Sequence, residues 1–112
     1  MSAEAFEELV ADALDTIPRK FMAQMSNVVV LVEDSHPDDP NLLGLYHGVA
    51  LTSRTSYYSG VLPDRIIIYR LPILRICSSA EDVVAQVRVT VVHEVGHHFG
   101  IDDATLHELG WG

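Results

Sequence analysis

The segment His93-Glu94-Val95-Gly96-His97 sets two imidazoles four residues apart, with a carboxylate beside the first. On an α-helix such a pair stands one turn apart on one face, about 6 Å along the axis, where both rings reach a single cation. On a strand the same pair would lie roughly 13 Å apart, too far for one ion with nitrogen bonds near ~2.1 Å. The spacing therefore predicts a helix, with a divalent metal held by His93 and His97. Glu94 lies beside the pair rather than as a further ligand. There its carboxylate can take a proton from metal-bound water and pass it to a leaving amine. Zinc suits this chemistry, because it lowers the pKa of the water towards about 7 and polarises a scissile carbonyl.

A tetrahedral catalytic site needs three protein ligands plus water. Gly100 is a natural helix terminator, able to take the left-handed conformation and turn the chain back, and Asp103 arrives where a third ligand is wanted. The competing reading makes Asp102 or Asp103 only the N-cap of a last short helix in ATLHELG. The assignment adopted is Asp103 as ligand and Asp102 as cap. Recruiting a Glu from a distant downstream helix would need more chain than DATLHELGWG provides. His98 points to a different face from His97, and His36, His47, His107 and Glu108 have no spacing in their favour, so surface or supporting roles are expected of them. A His/His/Asp set with open positions also suits iron.

The elements that must position these residues are less plainly written. Val87-Arg88-Val89-Thr90-Val91 alternates like a strand in residues that prefer sheets. Against this, Ser78 followed by Glu81 forms a capping-box pattern, with Glu81 and Asp82 in the first turn where the helix dipole favours acids. The histidine spacing decides for helix, and one so rich in valine must be packed on several sides. Upstream, Phe6, Leu9, Val10, Ala13, Leu14 and Ile17 draw an apolar stripe on a helix that Pro18 ends, with Glu4, Glu7, Glu8, Asp12 and Asp15 mostly on the solvated face. Val28 to Val32 and Ile66 to Tyr69 read as short strands. The polar, Gly- and Pro-rich stretch between them reads as loop with a short strand around Leu45 and Tyr46. Asp34, Asp38 and Asp39 lack the spacing of a calcium loop and are expected to be solvated turn residues.

At 112 residues the chain suits one core, so a single domain over 1–112 is expected. A formal charge of -9 would repel phosphate backbones and anionic lipid heads, which makes nucleic acid and membrane poor partners and neutral or basic peptides better ones. The single cysteine, Cys77, sits among Ile73, Leu74 and Ile76 and reads as a packed thiol. An acidic N-terminal segment and the lack of a run of about 20 apolar residues predict a cytoplasmic protein.

HEVGHHFGIDDATLHELGW resembles the minimal zincin metallopeptidases, small bacterial proteins with an HExxHxxGxxD signature. Looser likeness extends through LLGLYHGVALTSR, SGVLPDRIIIYR and QVRVTVVHE. The resemblance implies a reduced zincin-like α+β fold: a small β-sheet packed on an active-site helix, with N-terminal and C-terminal helices. It implies zinc bound by His93, His97 and Asp103, with Glu94 as acid/base in peptide-bond hydrolysis. No methionine follows Gly100, so the methionine turn of metzincins is absent.

The leading expectation is a zinc metallopeptidase whose extended peptide substrate adds to a sheet edge near Arg65 to Tyr69. Tyr46, Tyr57, Tyr58 and Arg54 are candidate oxyanion stabilisers kept outside the site. The alternative of another class is a zinc-stabilised module that binds a peptide or protein without turnover. A third treats the histidines as packing and surface residues of a scaffold.

Overall fold

The computed structural model describes residues 1–23, 25, 27–48 and 63–101. Helix α1 (Ala3–Leu14) starts at Ser2, whose hydroxyl accepts from the Ala5 amide, and buries Phe6, Val10 and Ala13, as the stripe predicts. Pro18 caps a single turn, α2 (Arg19–Met22). Among the described residues three strands follow: β1 (Val28–Glu33), β2 (Gly44–His47) and β3 (Asp64–Tyr69). A short helix absent from the expectations, α3 (Arg70–Ile76), runs straight on from β3; its Pro72 falls in the first turn, where no intrahelical amide bond is lost. Helix α4 (Ala80–His98) carries the histidines.

The sheet is mixed, in the order β1-β3-β2, with β3 parallel to β1 and antiparallel to β2. The Ile66-Ile67-Ile68 run of β3 is buried on both faces, as a central strand requires. This corrects the expected docking edge: Arg65 to Tyr69 is bonded on both sides, and among the described residues the outer strands are β1 and β2.

One sheet face packs on α1 and α4. Val30 and Val32 of β1 and Ile66 and Ile68 of β3 meet Phe6, Val10 and Ala13 there, together with a valine row on α4 at 83, 87, 91 and 95. Burying each valine is worth about 1.5–3 kcal/mol, against a helix-propensity penalty of at most ~0.7 kcal/mol per residue. Tertiary packing therefore overrides the strand preference of the segment.

The ends of α4 set its register. Its cap is one residue later than expected: Ser79, not Ser78, accepts from the Asp82 amide, and Asp82, not Glu81, reaches back to the Ser78 amide and hydroxyl. Those bonds hold the Asp82 carboxyl below its ordinary value, the Ser78 hydroxyl contributing most. At the far end Gly100 has φ 71°, its amide donates to His97 O (3.0 Å), and the Ile101 amide donates to Gly96 O (2.9 Å). This is a Schellman ending, with Ile101 packed against the core. The Gly100 stop is as expected. The segment holding the predicted C-terminal helix lies outside the described residues. Cys77 is partly buried on the core, and burial, then Asp82, pushes its thiol pKa up, consistent with an inert packed thiol.

Candidate metal centre

The last two turns of α4 bring His93, Glu94 and His97 together, each offering a ligand atom within 4.8 Å of the others. The His93 and His97 rings lie 4.5 Å apart between centroids, on one side of the helix. Glu94 Oε1 is 3.0 Å from His97 Nδ1. The Glu94 side chain is 7% exposed and that of His97 42%, so the carboxylate is held by protein while the imidazole stays open to an incoming ion. Two imidazoles beside one carboxylate are a donor set that suits zinc. Asp103 and Asp102 lie outside the described residues, as do His107, Glu108, Arg54, Tyr57 and Tyr58.

Glu94 is buried because β2 passes directly over it. A Cβ at Gly44 would stand 3.1 Å from Glu94 Cγ and 2.8 Å from Thr90 Cγ2, so only glycine admits this approach. Thr90 is itself fixed, its hydroxyl donating to Gln86 O at 2.8 Å. Between the chain at Asp39–Gly44 and the outer face of α4 opens a cleft of about 460 Å³, walled by Leu42, Leu43 and Val89 and reaching His93 and Glu94. Asp39 and Asn41 stand at its side, where the Asp39 carboxylate accepts from the Asn41 amide, the solvated turn chemistry expected of that acid.

Two residues that the sequence keeps outside the site, His98 and Tyr46, are placed by the structure on one buried carboxylate. Of the surface and supporting roles expected of His98, burial excludes the first: it is 1% exposed, and its Nδ1 lies 2.9 Å from Oδ2 of the equally buried Asp64. Tyr46 is not directed at an oxyanion, since its hydroxyl donates to the same Asp64 oxygen at 2.8 Å. Asp64 was not singled out by sequence reasoning, because its partners lie far away along the chain. The one available signal was an acid at the start of a buried strand.

The chain matches the family described as zincin-like metallopeptidase over residues 25–111. It belongs to that family. Membership makes this zincin-like chain kin to metallopeptidases, whose metal is usually zinc, and the His93/Glu94/His97 cluster is where its fold offers donors. No curated protein matches it. Among solved structures, a conserved hypothetical protein from T. thermophilus is similar, with 25% identity over 97% of each chain and a TM-score of 0.60. That likeness supports the small α+β fold. Among the described residues no helix is long and apolar enough to cross a membrane.

Proposed function

We propose that this zincin-like protein is a zinc-dependent peptidase in which His93, His97 and Asp103 hold the metal and Glu94 is the general base. The observation that carries it is the convergence of His93, Glu94 and His97 at the end of a cleft bounded by a sheet strand. Bound zinc would supply Lewis-acid polarisation of the scissile carbonyl and a lowered pKa for the attacking water. Glu94 accepts the water proton at its carboxylate and returns it to the leaving nitrogen, a role favoured by its burial beneath β2 away from bulk solvent. An extended peptide adds to β2 rather than to the β3 segment, because β2 is an outer strand among the described residues and borders the cleft. A side chain of that peptide enters between Leu42, Leu43 and Val89. Neutral or basic peptides are favoured over nucleic acid or anionic membranes by the charge of -9.

The test is cleavage of a diverse peptide library by the zinc-loaded chain, followed by mass spectrometry, with Glu94→Gln as partner. Cleavage by the wild type, lost on the order of 10²-fold or more in Glu94→Gln at equal zinc content, is expected. Zinc uptake with no cleavage by either protein would indicate a binding module instead. A zinc stoichiometry well below one would overturn the site.

A further inference from the structure

We propose that Tyr46, Asp64 and His98 form a register pin that keeps Gly44 of β2 seated on Glu94 of α4, which makes them positioning residues of the reaction proposed above, on whose reading this rests. Each comes from a different element: Tyr46 from β2, Asp64 from β3 and His98 from the last turn of α4. Asp64 is their common acceptor, its Oδ2 taking the Tyr46 hydroxyl at 2.8 Å and lying 2.9 Å from His98 Nδ1. A carboxylate cannot donate, so Nδ1 carries the proton of that bond. The Tyr46 and His98 rings also meet edge to face, with centroids 5.8 Å apart.

The placement of these residues gives the pin its purpose. Gly44 and Tyr46 project from the same face of β2, two residues or about 6.8 Å apart. Glu94 and His98 are four residues apart on α4, about 6 Å along its axis. Strand and helix thus touch at two matched points, Gly44 on Glu94 and Tyr46 on His98. Slippage of β2 by two residues would carry the Tyr46 ring to the place where even a Cβ meets Thr90 Cγ2 at 2.8 Å. Slippage by one would turn the strand over. Apolar contacts alone tolerate sliding, whereas two hydrogen bonds converging on one oxygen select a single alignment. That selection accounts for a carboxylate and an imidazole being buried where apolar groups of the same volume would be no less stable. Gly48 closes over the far side of the carboxylate, and a side chain there would collide with it.

Asp64→Asn and Tyr46→Phe keep the shape of the pin and weaken its bonds. Val10→Ala, in the core on α1, serves as a control for destabilisation. Zinc affinity measured against a chromophoric chelator should weaken about tenfold or more in both pin variants. Their kcat should fall while KM changes little. Val10→Ala, with an equal or larger loss of Tm, should leave zinc affinity and kcat unchanged at temperatures where all are folded. If Asp64→Asn does not fold, Tyr46→Phe, which loses one hydroxyl, carries the test. Pin variants that lose only Tm and retain wild-type zinc affinity and kcat would overturn the proposal. Should the wild type neither bind zinc nor cleave peptides, the reading of the site fails and the pin is judged by amide exchange. Exchange at 44–47 about tenfold or more faster in the pin variants, but not in Val10→Ala, would then support it, and unchanged exchange would overturn it.

Discussion

Replacing Gly44 by alanine tests the idea that the cleft geometry depends on an unusually close approach of strand to helix. The added Cβ would lie 2.8 Å from Thr90 Cγ2 and 3.1 Å from Glu94 Cγ. The first contact falls short of a normal carbon–carbon separation by about 0.7 Å. Backbone conformation is no obstacle, because Gly44 does not have a positive φ. Thr90 cannot simply rotate away, since its hydroxyl is bonded to Gln86 O on a packed helix turn. Either β2 lifts or Glu94 is displaced. Overpacking of this kind costs about 1–3 kcal/mol, partly offset by the ~0.4–1 kcal/mol that alanine gains through a less disordered unfolded chain. The net loss of roughly 1–2 kcal/mol should lower Tm by about 4–10 °C in thermal denaturation followed by circular dichroism. A shift of that size beside the base should also reduce kcat/KM on the order of tenfold, given that ~1 Å of misplacement can cost about a hundredfold. A Gly44→Ala protein with wild-type Tm and wild-type peptide turnover would refute the reasoning.

Gly100→Ala forces a left-handed conformation on a residue with a Cβ, so stability should fall by about 1–2 kcal/mol, read as a lower urea midpoint at unchanged m-value. Asp82→Asn should destabilise the protein at neutral pH. Because the folded Asp82 pKa is held below its ordinary value, its contribution is complete above the ordinary carboxylate range and is lost as pH falls through the folded value. Wild type and variant should therefore converge in acid-range melts, and a gap that widens on acidification would contradict the cap geometry. Zinc at about 100 times its Kd should stabilise the wild type by roughly 2.7 kcal/mol in a thermal shift assay. His93→Ala and His97→Ala should abolish that shift, and a shift that persists in either would remove that histidine from the site.

What was readable in the sequence was whatever repeats locally. The α1 stripe, the β1 and β3 runs and the Gly100 stop each depend on neighbours within a turn or two. The helical state of 87–91 contradicts the preference of its own valines, and it is legible only because His93 and His97 must share a face. The cap is displaced by one residue because Ser78 and Ser79 both offer a hydroxyl and only tertiary packing chooses between them. An edge position for β3 overlooks that Ile66-Ile67-Ile68 lacks the alternation of a half-exposed strand, a cue to its central place. The contacts of His98 and Tyr46 with Asp64 were invisible, because nothing local announces a bond between residues that the fold alone makes neighbours. Helix α3 escapes sequence reading for a simpler reason: Pro72 reads as a breaker unless the start of the helix is known.

Pairing between β1 and β3 joins Val28 to Asp64, and β2 also finds its only described ladder on β3, with Gly44 opposite Ile68. Among the described residues neither strand pairs with a close neighbour in the chain, so for these ladders loop closure over long separations precedes any reward from pairing. The chain should accordingly collapse fast but acquire its sheet on a millisecond or slower timescale. During that interval the Val28 to Val32 run stays unsheltered, and crowding at this stage favours clumping between molecules over productive maturation.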